Sequence, residues 1–167
     1  ALAYIIIPQM ILCGYLIHKY GKIKGYDMGT KIGGVFQLDK INYSFLTNSM
    51  EIDRLKTSNI VLCFVSMNCP SCEKALKELS EKYKDYSENL CIVVEGEKGE
   101  VEEWYKNKNL NFHVNFINKD VLLYDLKINR FPFVFVLDNS VVINKGPLFI
   151  ENFDEYILNL NSPGLTV

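Results

Sequence analysis

The clearest chemical possibility in the chain is a pair of cysteines two residues apart, Cys69 and Cys72, in the stretch VLCFVSMNCPSCEKALKEL over residues 61–79. Such a pair can cycle as a redox disulfide, supply half of a metal site, or form a plain structural bridge. A structural zinc needs four ligands. The other candidates, Cys63, Cys91, His18 and His113, form no second close-spaced pair. A bridge closing so short a loop constrains the unfolded chain very little and adds little stability. Redox chemistry has a positive basis. A helix-like pattern follows the cysteines, and a thiol at a helix N-terminus faces unpaired N–H groups and the positive end of the dipole. That field lowers a thiol from about 8.5 towards 7 or below. Pro70 suits a first helical position, so Asn68, Pro70 and Ser71 form a helix-opening motif around the pair. Cys72, one turn further in, is placed to resolve a mixed disulfide formed at Cys69.

A second feature lies at Pro132, which interrupts the strand-like run RFPFVFVLD. A trans proline belongs at a strand end or edge, and a cis proline at the start of the strand is the other solution. Cys63 and Cys91 sit in apolar runs, where free cysteine behaves as a small buried hydrophobe. Glu73 and Glu78 are near the pair in sequence, and surface solvation is the expectation for both.

These residues need a scaffold. NIVLCFVS (59–66) is apolar on both parities, as a central strand buried on both faces requires. Cys72, Ala75, Leu76, Leu79 and Tyr83 recur at helical spacing and predict an amphipathic helix over 72–87. Further along come a strand at 90–96, a helix at 100–109, a strand at 111–117 and a short helix at 119–128. A hairpin follows, 131–138 with 140–146 around an Asp138-Asn139 turn, then a closing helix at 152–161. Upstream, VFQLDKINYSFL from Val35 alternates like a β-hairpin turning near Asp39–Asn42, and a short helical piece falls within 48–57. Alternating strands and helices followed by a hairpin describe an α/β sandwich with a mixed sheet. The cysteines then stand at the carboxyl end of a central strand, the usual active edge of such sheets.

The 167 residues suffice for one well-buried domain and a little more. With 49% apolar and 23% charged residues the chain is globular rather than disordered. A net charge of −2 gives no reason to expect a nucleic-acid partner. The five cysteines, Cys13 included, are too few for a disulfide-dense scaffold. Residues 1–17, ALAYIIIPQMILCGYLI, carry no charge and reach the length of a short membrane span; Pro8 is tolerable there. Residues 1–18 are therefore expected to be a membrane anchor, with upstream residues missing because the chain lacks an initial methionine, and residues 19–32 a Gly- and Lys-rich linker to a domain over 33–162. The basic residues after the span favour a cytoplasmic side by themselves, so orientation rests on the chemistry.

Together the CxxC after a buried strand, the proline before a later strand and the terminal hairpin and helix resemble the thioredoxin fold, over roughly residues 33–160. The N-terminal hairpin, the extra segment at 112–127 and the anchor are similar to the membrane-tethered TlpA-like and redoxin branch. FVSMNCPSCEKALKEL and LIHKYGKIKG resemble most the methylamine-utilisation thioredoxin-like proteins of bacteria. The resemblance implies that Cys69 is the nucleophile, Cys72 the resolving thiol and Pro132 a cis proline beside them, with Phe131 offering its backbone to an extended substrate. Two positions depart from the family: Asn68 replaces its usual tryptophan, and Cys63 replaces the buried acid of cytoplasmic thioredoxins. The implied function is a membrane-anchored thiol–disulfide oxidoreductase. It would be a monomer on the extracytoplasmic side of a bacterial cell membrane, acting on protein thiols and disulfides and a redox partner, with no cofactor and no metal. The alternative is a tethered binding module, a metal chaperone or maturation scaffold, with His113 as the added ligand. A peroxide-reducing relative would use Ser66, three residues before Cys69.

Overall fold

The computed structural model describes residues 28–41, 51–108 and 110–160. The expected anchor, most of the linker and the second arm of the N-terminal hairpin lie outside the described residues. Among the described residues, no helix is long and apolar enough to cross a membrane.

A five-stranded sheet organises everything else. Its centre is β1 (Asn59–Ser66), six of whose eight residues are fully buried. β2 (Leu90–Glu95) and then β3 (His113–Ile117) continue from one side of β1 in parallel, and β4 (Phe133–Asp138) and then β5 (Val141–Pro147) from the other side antiparallel, giving the order β3-β2-β1-β4-β5. Strand side chains alternate between faces, and β1 divides accordingly. Val61, Cys63 and Val65 enter one core with Cys72, Ala75, Leu76 and Leu79 of α2 (Pro70–Lys82), Val101 of α3 (Lys98–Lys106) and Phe153, Tyr156 and Ile157 of α4 (Phe153–Leu160). Ile60, Leu62 and Phe64 enter a second core with Leu55 of α1 (Ile52–Thr57), Phe36, Leu38, Leu122 and Leu126. A strand read as apolar on both parities is thus covered on both faces.

Local chemistry sets the element ends. Cys69 is the N-cap of α2 and Pro70 its first residue, so the helix begins two residues before the periodic apolar positions. It ends at Lys82, earlier than the expected residue 87. Tyr83 turns inward there, stacks edge-on against Phe153 with ring centroids 4.7 Å apart, and donates its hydroxyl to Asp154 at 2.8 Å. Residues Lys84–Asn89 then form 3-10 turns back to β2. A capping box between Glu97 and Glu100 opens α3 at Lys98. Asn139 and Ser140 both have positive φ, 46° and 72°, the conformation that a two-residue hairpin loop between β4 and β5 demands.

Two expected elements take another form. The helix at 119–128 contains a wide π-type turn, Val121–Asp125, with Leu126 N–H bonded to Val121 O at 3.0 Å; this setting puts both Leu122 and Leu126 in the second core. The first arm of the N-terminal hairpin is not a strand. Val35 makes a single bridge to Val141, and Leu38–Lys40 is one 3-10 turn that brings Leu38 and Ile41 to the same core. Chain at 33–36 nonetheless extends the sheet edge, through Gly33 N–H to Val142 O, Val142 N–H to Gly34 O and Phe36 N–H to Ser140 O.

The last residues of the expected linker already pack on this domain. Met28 contacts the second core, its carbonyl accepts from Lys145 Nζ at 2.8 Å, and Gly29 lies against the Phe135 ring. Gly29 has φ +66°, and a Cβ there would meet Phe135 Cζ at 2.5 Å. Gly29→Ala is therefore expected to destabilise the folded protein by about 1–3 kcal/mol in urea unfolding, through left-handed strain and the clash with a buried ring. An unchanged midpoint would show that residues 28–30 do behave as a linker.

Candidate active site

Three segments converge at the carboxyl end of β1. The strand delivers the chain through Met67 and Asn68 to Cys69, whose extended backbone (φ −116°, ψ 104°) caps α2. Phe133 pairs with Phe64 in the antiparallel β1–β4 ladder, so Phe131 and Pro132 lie beside the same strand end. The Phe131–Pro132 peptide bond is cis. Leu148, after β5, donates its N–H to Pro132 O at 3.0 Å and ties the third segment to the second.

Cys69 and Cys72 are joined in a disulfide, with their Cα atoms 5.2 Å apart. The two sulfurs differ in setting. Cys72 is 1% exposed and belongs to the core beneath α2, whereas Cys69 is only partly buried. Cys69 Sγ accepts a hydrogen bond from Cys72 N–H at 3.1 Å and lies 3.2 Å from Ser71 Oγ. An N-cap side chain satisfies an otherwise orphaned helix N–H, and here the capping atom is a sulfur. When the disulfide opens, the same donors and the helix dipole face Cys69 and favour its thiolate. The accessible sulfur is thus the one the backbone stabilises as an anion, and its buried neighbour is held one turn away.

The other chemistry-bearing residues separate clearly. Cys63 and Cys91 are free and fully buried, and burial pushes both thiols far above the ordinary range. Cys63 faces the α2 side of the sheet, and Cys91 faces the other side, donating to Asn115 Oδ1 at 3.2 Å. Glu73 is exposed and paired with Lys108, whose hydrogen bond and charge hold its carboxyl below the usual range. Glu78 is half-buried and loosely paired with Lys74 and Lys82 at 3.9 and 3.8 Å. Asn68 is exposed, and Ser66 closes β1 level with Glu95. His113 opens β3 level with Cys91, itself level with Leu62. That is four residues, or about 13 Å, short of the cysteine end at roughly 3.3 Å per residue. Among the described residues no three His, Cys, Asp or Glu side chains cluster as a metal site.

A groove of about 660 Å³ opens beside the pair, walled by Ser71, Lys74 and Glu78 of α2 on one side and by residues 130–133 and 147–151 on the other. Phe131 is half-buried, and its backbone N–H and C=O have no partner among the described residues. Sequence reasoning located Cys69, Cys72 and Pro132 but not the wall formed by Arg130 and the loop after β5. Those residues carry no motif, and only the β4–β5 pairing brings them to the cysteines.

A helix-capping CxxC at the end of a central parallel strand, faced by a cis proline that starts an antiparallel one, defines a thioredoxin-like α/β protein. The chain belongs to the AhpC/TSA family, whose model matches residues 36–145. Solved structures of similar fold include a thiol:disulfide interchange protein from Bacteroides sp., 16% identical, with TM-score 0.58 over 83% of this chain and 95% of that one. The pneumococcal exposed lipoprotein thioredoxin of Streptococcus pneumoniae is 20% identical, with TM-score 0.54 over 65% and 87% of the respective chains. The N-terminal domain of PilB from N. meningitidis is 18% identical, with TM-score 0.51 over 68% and 88%. A search of the curated proteins finds no match.

The difference between Cys69 and the two buried free thiols is measurable. After reduction, brief treatment with iodoacetamide at pH 7 is expected to modify Cys69 well before Cys63 and Cys91, which stay protected until the protein unfolds. Peptide mapping that finds Cys63 or Cys91 modified as fast as Cys69 would contradict this arrangement.

Proposed function

We propose that the protein is a thiol–disulfide oxidoreductase that exchanges disulfides with other proteins through Cys69 and Cys72. The observation that carries this reading is the asymmetry of the pair: an accessible sulfur capping a helix N-terminus, bonded to a buried one. In the reducing direction the Cys69 thiolate attacks a substrate disulfide. A Cys69–substrate S–S bond forms, and the displaced substrate sulfur leaves as a thiolate that takes up a proton. Cys72, deprotonated in turn, attacks Cys69 Sγ and expels the second substrate sulfur, leaving the Cys69–Cys72 disulfide and a substrate reduced by two electrons. Oxidation of a partner dithiol runs the same steps backwards. The potential of the couple sets the direction: about −270 mV suits a reductant and about −120 mV an oxidant.

Pro132 and the unpaired backbone of Phe131 are in place to receive an extended substrate segment by strand-like pairing. Asn68, Pro70 and Ser71 shape the helix opening around the sulfurs. A metal-carrying role fits less well, because His113 stands near the opposite end of its strand. The uncharged apolar run at residues 1–17 supports tethering to a bacterial membrane, on the branch that resembles the methylamine-utilisation thioredoxin-like proteins. An extracytoplasmic side suits exchange chemistry of this kind, because disulfides persist there.

Insulin reduction by dithiothreitol, followed by turbidity, tests the proposal. The wild-type chain is expected to accelerate it, Cys69→Ser to abolish the acceleration, and Cys72→Ser to accumulate a mixed disulfide at Cys69. Acceleration that persists in the Cys69→Ser/Cys72→Ser double variant would refute the mechanism. Rapid hydrogen-peroxide consumption without insulin reduction would point to Ser66 and peroxide chemistry instead.

A further inference from the structure

The groove beside the cysteines has a charge order along its length. Near the sulfurs, Arg130 stands next to Phe131 and Pro132, and Lys74 lies one helical turn beyond Ser71. At the far end stand Glu78, a further turn along α2, and Glu151, in the 3-10 turn Ile150–Asn152 that packs against α2. Between them the lining is apolar, with Phe149 53% exposed, and Leu148 and Ile150 beside it. Arg130 and Glu151 are exposed and make no ion pair or side-chain hydrogen bond among the described residues. Glu78 is approached by Lys74 only to 3.9 Å and by Lys82 only to 3.8 Å, loose surface contacts that a partner can replace at little cost. The walls therefore present positive charge at the sulfur end, an apolar middle and negative charge at the far end.

We propose that the groove selects its partner by this polarity: the preferred occupant is an extended protein segment with an acidic residue beside its reactive cysteine, then an apolar residue, then a basic one. Ser71 and Glu78 are seven residues apart on a helix, about 10 Å at roughly 1.5 Å per residue. About three residues of extended chain cover that length, so the basic residue falls about three positions from the cysteine. Apolar contact with Phe149 holds the middle of the segment, and the two charges fix which way it lies. This inference rests on the thiol–disulfide reading for the identity of the site, while the charge preference itself is a property of the groove.

Binding measurements separate the two. Short labelled peptides with serine in place of the reactive cysteine are titrated with the oxidised full chain by fluorescence anisotropy. One set has the acidic residue beside the serine and lysine three positions on, in both chain directions; the other has the charges exchanged. The acid-proximal peptide is expected to bind at least about fivefold more tightly in one direction, a factor that two exposed charge contacts can supply. The preference should shrink at 0.5 M salt, where the Debye length is only about 3–5 Å, and vanish in the Arg130→Glu/Glu151→Arg variant, in which each end of the groove carries one charge of either sign. Equal binding of the two sets by the wild-type chain, or a preference unchanged in that variant, overturns the inference. The cysteine-containing peptides, mixed with the reduced chain, report exchange separately. A charge preference in binding without exchange would support the groove's selectivity and refute the oxidoreductase reading, and exchange without any charge preference would do the reverse.

Discussion

Everything at the candidate site depends on one contact, the hydrogen bond from Cys72 N–H to Cys69 Sγ. It makes a sulfur do what serine or aspartate does at most helix N-termini, and it makes the first turn of α2 an anion site that the protein fills with its own side chain. The contact needs Cys69 in an extended conformation just before Pro70, and it needs a helix that starts there. Pro70 supplies the start, because its missing N–H costs nothing at a first helical position. The core supplies the rest: Cys72, Ala75, Leu76 and Leu79 fasten α2 to the sheet and hold its N-terminus at the end of β1.

The sheet positions the second half of the site by register. Phe133 opposite Phe64 puts cis-Pro132 level with the end of β1, and Leu148 N–H on Pro132 O brings the loop after β5 to the same edge. Behind that register is a cluster of rings. Phe135 lies 5.0 Å from Phe36, 5.8 Å from Phe64 and 5.2 Å from Phe133, centroid to centroid, with Gly29 closing over it. Because strand side chains alternate, a slip of one residue would turn these rings to the α2 face and displace the proline.

How much of this was legible in the sequence follows from how local each signal is. β1 reads correctly because a strand buried on both faces must be apolar at every interior position, and NIVLCFVS is. The cysteines, Pro132 and the β4–β5 turn were also legible, since spacing and proline chemistry act within a few residues. Burial of Cys63 and Cys91 followed from the apolar runs around them. The misses are tertiary. Alternation in VFQLD reads as a strand, yet a 3-10 turn at Leu38–Lys40 serves the core better by presenting Leu38 and Ile41 together. Leu122 and Leu126 read as helix, yet a wider turn meets the sheet. Tyr83 reads as one more helical position, yet its ring and hydroxyl are used by α4. The groove left no local trace, because its walls are segments about 50 to 80 residues apart that only the fold brings together.

The account stands on a sulfur stabilised as an anion by the backbone of α2, and the pKa of Cys69 in the reduced protein tests it most directly. Thiolate absorbance followed against pH, with Cys13→Ser and Cys72→Ser to isolate the signal, is predicted to give a value clearly below the ordinary thiol value of about 8.5. A Cys69 that titrates at or above that value would contradict the account.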